Sequence, residues 1–222
     1  MSFENFKIKN LYNLEACIAG KIFDKLDYPW EALPLIKDFI LELGARLGED
    51  FDKIGEDIWV AKSAKIAPTA SITGPCIIDE NAEIRHCAFI RGSAIIGKSS
   101  VVGNSTEIKN AILFDNVQVP HFNYVGDSIL GNFSHMGAGA VTSNVKSDKS
   151  PVAIKYKGQS LDTARKKVGA FLGDRVEIGC NSVLCPGTVI GKNSTVYPTS
   201  CVRGAIDANS IFKNSNTIIS KE

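Results

Sequence analysis

The sequence predicts a mainly β protein: a parallel β-helix of hexapeptide repeats with a small helical segment in front of it. Two observations predict this. From residue 60 an aliphatic side chain recurs every six positions: Val60, Ile66, Ile72, Ile78, Ile84, Ile90, Ile96, Val102 and Ile108, then Phe114. Four residues after each of the first eight comes a small side chain: Ala64, Ala70, Cys76, Ala82, Ala88, Ala94, Ser100 and Thr106. A period of six suits neither an α-helix nor a simple alternating strand, and it is the repeat of the hexapeptide β-helix. Three hexapeptides make one triangular coil, with the aliphatic residue pointing inward and the small one easing the corner. The phase resumes at Tyr124, Leu130 and Met136, and again from Leu172 through Ile178, Leu184, Ile190, Val196 and Val202, which implies roughly six coils. Each buried aliphatic contributes about 1.5–3 kcal/mol before entropy is subtracted, and a coil closes its core only by stacking on the next.

Residues 1–55 carry a different period. Leu11, Leu14, Ile18, Ile22 and Leu26 recur at spacings of three and four, as do Trp30, Leu33, Ile36, Ile40, Leu43 and Leu47. This predicts two amphipathic helices forming an N-terminal cap, each with one apolar face to bury. The β-helix is expected over 56–206 and a polar, peripheral tail over 207–222. With 25 basic against 24 acidic residues the net charge is +1, which excludes a bulk electrostatic nucleic-acid binder. No apolar run approaches the ~20 residues that span a bilayer, and Met1-Ser2-Phe3-Glu4 lacks the shape of a signal peptide. A cytoplasmic protein with no membrane partner is expected. None of the six cysteines falls in a CxxC pair, so they are expected to be reduced, buried thiols.

A regular solenoid is scaffold, so breaks in the repeat are where chemistry is expected. One break spans Asp115–Asn123 and contains His121, and imidazole is a side-chain type suited to general-base work. The other is an insert at about 145–171. It holds seven basic residues (Lys146, Lys149, Lys155, Lys157, Arg165, Lys166, Lys167) against Asp148 and Asp162, which makes it net +5. Such a loop suits either a phosphate clamp or a solvated arm. The three histidines lie 35 and 14 residues apart, neither a multiple of 18, so they are not expected to stack as a shared zinc site.

Gly103 through Asn144, which opens on GNSTEIKN and ends in PHFNYVGDSILGNFSHMGAGAVTSN, resembles the acetyltransferase domain of bifunctional glucosamine-1-phosphate acetyltransferase/N-acetylglucosamine-1-phosphate uridyltransferase. The later VAIKYKGQSLDTARKKVGAFLGD is more similar to the related archaeal-type sugar-1-phosphate nucleotidyltransferases. The resemblance implies a left-handed β-helix and a homotrimer with its active sites between subunits. It implies His121 as catalytic base and Asn144 near the acetyl donor and amino sugar. Arg91, Lys109 and Tyr124 match substrate-binding positions, and His135 stands where the family has a substrate-contacting asparagine. Ala138, Cys180 and Pro198 fall at acetyl-CoA-binding positions, with Lys149 as counterpart of a lysine late in the family's loop. Cys180 replaces a serine, Pro198 a small residue and Val145 a tyrosine.

The implied reaction is CoA-dependent acyl transfer, most simply N-acetylation, to an amino-sugar phosphate or a nucleotide-linked amino sugar. No metal is needed for that transfer. Fifty-five helical residues cannot supply a nucleotidyltransferase domain, so nucleotidyl transfer is not expected of this chain alone. Two alternatives stay open. One is a sugar-phosphate or nucleotide-sugar binding module that has lost turnover, and the other is a zinc protein resembling γ-class carbonic anhydrases.

Overall fold

The computed structural model describes residues 3–214 and 217–221. Its strands stack in parallel into a three-faced prism, the left-handed β-helix that the repeat and the resemblance predict. The first face runs from Ile58–Ala61 to Ala205–Ile206, the second from Lys65–Ile66 to Ser210–Asn214, and the third from Ser71–Ile72 to Cys201–Val202. Two faces carry eight parallel strands and the third carries seven, so the prism is longer than the six coils expected. The aliphatic positions fill its axis: Ile78, Ile84, Ile90, Ile96, Val102 and Ile108 are at most 1% exposed. The small slots from Cys76 onward are buried too, and Ser100 and Thr106 donate to the Phe114 and Val119 carbonyls (2.7 and 3.1 Å), satisfying backbone groups at the turns.

The corners reverse direction through left-handed backbone. Asn81, Ser99, Asn116, Asn193 and Asn209 have φ between +55° and +59° at one corner, as expected of side chains that tolerate this region.

The break at Asp115–Asn123 is not a loop. Gln118–His121 is a strand of the second face, with Val119 beside Val102. Equivalent positions on the third face run Phe89, Glu107, Tyr124, Val141, Val183, Cys201. The steps are therefore 18, 17, 17, 42 and 18 residues. Two consecutive coils lack one residue, and one carries 24 extra. The missing residue is at the corner between the third and first faces, where Lys109-Asn110-Ala111 does what Arg91-Gly92-Ser93-Ala94 does one coil earlier. Leu113 and Val125, not Phe114 and Tyr124, thus take the axial positions.

The N-terminal segment does not cap an end; it lies along the first face. That face is apolar on its outside as well, with Ile77, Ile95, Ile112, Ile129, Phe171 and Val189 all at 0% exposure. Tyr12 stacks on Phe114 (5.0 Å between centroids), Trp30 meets Phe171 (5.8 Å) and Phe6 meets Tyr156 (4.8 Å). The expected helix over 11–26 does not form, and the second is confined to Ile36–Gly44. The reason is visible in the backbone: the Leu11 and Ala16 carbonyls accept from the Asp174 and Asp115 amides of the β-helix. A helix would have kept those carbonyls for itself.

The sheet begins at Phe51–Gly55, a few residues before the expected boundary, as an antiparallel strand on Ile58–Ala61. The tail is not peripheral, since Ile211 and Phe212 pair with Thr195 and Val196, and Thr217–Ser220 folds back on that strand. Residues 215, 216 and 222 of the expected tail, and residues 1 and 2 of the expected cap, lie outside the described residues. The 24 extra residues form a hairpin, Val152–Tyr156 with Gln159–Arg165, laid against the later coils by buried Val152 and Ile154. Six free cysteines are present, but only Cys17, Cys76 and Cys185 are buried. Cys87, Cys180 and Cys201 are exposed because they occupy corners or outward strand positions.

Candidate active site

His121 stands at the corner between the second and third faces, with its side chain exposed. Its backbone is held from three sides. The Phe122 amide donates to the Asn104 carbonyl (2.9 Å), the Gly139 amide donates to the His121 carbonyl (3.1 Å), and the His121 amide donates to the Asn123 side chain (3.1 Å). Asn123 is 3% exposed and also donates to the Gly137 and Ala140 carbonyls, so it locks the corner beneath the imidazole. Gly103, in the rung before, lies so close that an added Cβ would fall 1.6 Å from the Pro120 carbonyl oxygen. Only glycine lets the His121 rung settle there.

The same hydrogen-bond ladder continues from Ala138 to Asn181 and from Cys180 to Thr199 (2.8 Å each). His121, Ala138, Cys180 and Pro198 therefore form one column on successive rungs. With Ala138 and Gly139 in the next rung, no bulky side chain stands beside the imidazole on that side.

The third face carries the second group. Glu107 and Tyr124 are neighbours on adjacent strands, as are Lys109 and Gly126. Arg91 donates to Glu107 (2.6 Å), and the Lys109 ammonium sits 3.2 Å from both Asp127 oxygens. Asp127, 3% exposed, also accepts from Asn110 (2.8 Å) and Asn144 (2.5 Å). Because a carboxylate only accepts, the Asn144 amide nitrogen must face it. That nitrogen's other hydrogen goes to the Tyr124 hydroxyl (3.3 Å). Tyr124's own hydrogen remains free to donate, and burial, with the Asp127 and Glu107 charges, raises its pKa, so it stays a neutral phenol. The two shortened coils create this cluster: each tight corner swings a polar left-handed residue, Asn110 or Asp127 (φ +48° each), against the next rung.

Arg91, Lys109, Tyr124 and Asn144 thus come together, and the His121 column borders the same face. His135 does not join them within one chain. It pairs with Gln118 and Glu177 on the second face, with its Nδ1 2.9 Å from the Glu177 carboxylate. Lys149 sits in a turn of the insert with φ +56°, away from the Cys180 corner in chain order and on an exposed segment. The histidine spacing needs correction: 35 residues is one coil of 18 plus one of 17, so His86, Asn104 and His121 do share a column. Among the described residues, no three His, Cys, Asp or Glu side chains are grouped closely enough to hold a metal. Sequence reasoning passed over Asp127, Asn123 and Glu107. The first two stand inside the HFNYVGD run, and a polar residue replacing the expected repeat is the signal that marks them.

Three comparisons with known proteins bear on this arrangement. Residues 72–155 match the family model described as the GMPPB C-terminal domain. The chain is 31% identical over 219 residues to the bifunctional protein GlmU of Methanococcus maripaludis, covering 90% of this chain and 49% of that protein. It is 32% identical over 105 residues to the bifunctional sugar-1-phosphate nucleotidylyltransferase/acetyltransferase of Sulfurisphaera tokodaii, covering 47% of this chain and 26% of that one. The chain thus spans about half the length, or less, of these curated relatives. Solved structures matched include the acetyltransferase domain of PglB from Neisseria gonorrhoeae in complex with acetyl coenzyme A (13% identity, 85% of this chain, 66% of that one, TM-score 0.34). Another is the polysialic acid-specific acetyltransferase NeuO (12% identity, 75% and 88%, TM-score 0.43). In sequence, this β-helical chain resembles the bifunctional GlmU and sugar-1-phosphate nucleotidylyltransferase/acetyltransferase proteins, as its HFNYVGD and GAGAVTSN stretches led one to expect.

Proposed function

We propose that the protein is an acetyl-CoA-dependent N-acyltransferase acting on an amino-sugar phosphate or a nucleotide-linked amino sugar. His121 takes the proton from the amine as its nitrogen attacks the thioester carbonyl, and CoA leaves as the thiol. The observation that carries this reading is the unbroken column His121–Ala138–Cys180–Pro198, a shallow track for a pantetheine arm that ends at an exposed imidazole. Lys109 and Arg91 orient the acceptor's phosphate, and Tyr124 donates to it. Both amide hydrogens of Asn144 are committed to Asp127 and Tyr124, so the thioester oxyanion is stabilised by a backbone N–H while Asn144 holds the acceptor side in shape. Lys149 and His135 act only from a neighbouring copy or after the insert shifts.

A homotrimer completes the site. His121 is exposed on its corner, Phe122 (59% exposed) and Tyr197 (43%) stand out on the same corner, and Phe89 and Val183 on the adjoining face. A second copy packed there turns the ridge into a groove. His121→Ala lowers kcat for acetyl transfer by about 10²–10⁴ with little change in KM; equal losses in both would remove the base assignment.

A binding module without turnover is the second reading. It is favoured by the ion pairs that already neutralise Arg91 and Lys109. Thermal shift separates the two: stabilisation by acetyl-CoA supports the enzyme, and a response to sugar ligands alone supports the module.

A further inference from the structure

A cleft of about 520 Å³ beside Cys185 and Cys201 and another of about 620 Å³ between the N-terminal helix and the insert are open on the surface. The second carries a ligand chemistry. It is lined by Leu33, Pro34 and Lys37 from the N-terminal segment, by Lys109, Asn110 and Asp127 from the tight corner, and by Ala164, Arg165, Lys166 and Lys167 from the returning arm of the hairpin. Its one carboxylate, Asp127, is spent on Lys109, Asn110 and Asn144. Lys37, Arg165, Lys166 and Lys167 form no ion pair among the described residues, so four cationic side chains face one cavity without a counter-charge. The Arg165 Nε is buried and has no hydrogen-bond partner. A buried guanidinium donor left open is costly unless an acceptor arrives. The volume is in the range of small-molecule sites, about 300–1,000 Å³, and far exceeds what one phosphate fills. One wall is apolar, formed by Leu33, Pro34 and Ala164.

We propose that this cleft binds a nucleoside diphosphate: its two phosphates lie against Arg165, Lys166, Lys167 and Lys37, and its base lies against the Leu33–Pro34 wall. Guanidinium and ammonium groups from two separate segments give the divergent donors that adjacent phosphates require. The inference does not rest on acyl transfer, since binding is read with no acyl donor present. Where both hold, Lys109 joins the two regions and the acceptor is the nucleotide-linked sugar.

Isothermal titration of the full chain with uridine diphosphate, adenosine diphosphate, inorganic pyrophosphate and inorganic phosphate tests it. At least one nucleoside diphosphate binds more tightly than pyrophosphate, and pyrophosphate more tightly than phosphate, with affinities that fall as salt rises. Lys166→Ala/Lys167→Ala and Lys37→Ala, all at exposed positions, each weaken nucleoside diphosphate binding at least tenfold. The equally exposed pair Lys62→Ala/Lys65→Ala leaves it unchanged. Absence of binding to the unaltered protein, or binding indifferent to Lys37, Lys166 and Lys167, overturns the site. Equal affinity for pyrophosphate and both nucleotides overturns the nucleoside.

Discussion

Asp79 illustrates at the residue scale how a single buried group shapes behaviour the repeat does not announce. Its carboxyl is 1% exposed; one oxygen accepts from the Glu80 amide (2.7 Å) and the other has no partner. Burial pushes its pKa up to about 6, with Lys98 pulling it down and Asp115 and Glu80 pushing it further up. The folded chain therefore holds this proton more tightly than the unfolded chain does. The resulting stability is present below the ordinary carboxylate pKa and is lost as pH rises through about 6. Two units correspond to about 3 kcal/mol at most. Asp79→Asn keeps the shape and removes the charge, so urea unfolding at pH 8 shows the variant more stable by about 1–3 kcal/mol, with the gap closing near pH 4. A gap that persists at pH 4 would mean the effect is packing and not ionisation. Asp127, similarly buried, stands at the other extreme: Lys109, Asn110 and Asn144 surround it, so its charge is matched.

At the scale of elements, the corner columns decide which side chains meet solvent. Cys180 and Cys87 occupy adjacent columns of the His121 corner, whereas Cys76 and Cys17 lie in the core, where burial raises their thiol pKa and the Cys76 value reaches about 12. Native-state alkylation with iodoacetamide, read by peptide mass, thus modifies Cys87, Cys180 and Cys201 at least tenfold faster than Cys17 and Cys76, since the thiolate is the reactive form. Acetyl-CoA slows modification of Cys180 while leaving Cys87 unchanged, because only Cys180 lies on the proposed pantetheine track. Unaltered labelling of Cys180 under saturating acetyl-CoA would remove that track. Phe122 and Phe133 show a related feature. Both hold bulky rings at left-handed φ (+50° and +56°); Phe122 lies between Ser105 and Gly139, and Phe133 between Asn116 and Arg175. Such strain survives where the exposed ring has work to do, and Phe133 already packs under Arg175, 4.8 Å from its guanidinium carbon.

For the whole molecule, the N-terminal segment and the β-helix share one packed core. The outer first face, built of Ile77, Ile95, Ile112, Ile129, Phe171 and Val189, is fully buried, residues of the N-terminal segment packing on its earlier strands and on Phe171, and the hairpin lying against its later coils. Removing residues 1–50 would uncover a contiguous apolar strip far beyond what soluble proteins tolerate. The truncated chain is therefore expected to aggregate on expression, whereas the full chain remains dispersed; a soluble, β-rich truncation product by circular dichroism would show that the strip has another cover. The same segment reaches the insert through Phe6 on Tyr156, and the Tyr156 hydroxyl donates to Asp207 (2.7 Å), tying first, middle and last parts of the chain together. At each end one face is covered by an antiparallel strand, Phe51–Gly55 on the first face and Thr217–Ser220 on the second, which blunts an edge that parallel stacking would leave open.

The hexapeptide period by itself determined the prism and most of its axial residues, because inward-facing positions in a stacked solenoid are forced to recur at fixed spacing; it misplaced the axis only at Leu113 and Val125, where two coils are one residue short. The HFNYVGD run, through its resemblance to the acetyltransferase domain, singled out His121 as the candidate base. Three things needed the tertiary structure. The outer doublets Ile77-Ile78, Ile95-Ile96 and Ile112-Leu113 carry the signal of a covered face, but only the docked chain shows that residues 3–50 are the cover and that they forgo a long helix to serve as it. The grouping of Asp127 with Lys109, Asn110 and Asn144 depends on two one-residue deletions, which shift register by an amount that sequence spacing alone assigns to a loop. And the facing of Lys37 toward Arg165, Lys166 and Lys167 joins segments more than 120 residues apart, a juxtaposition set by where two elements pack and not by any local pattern.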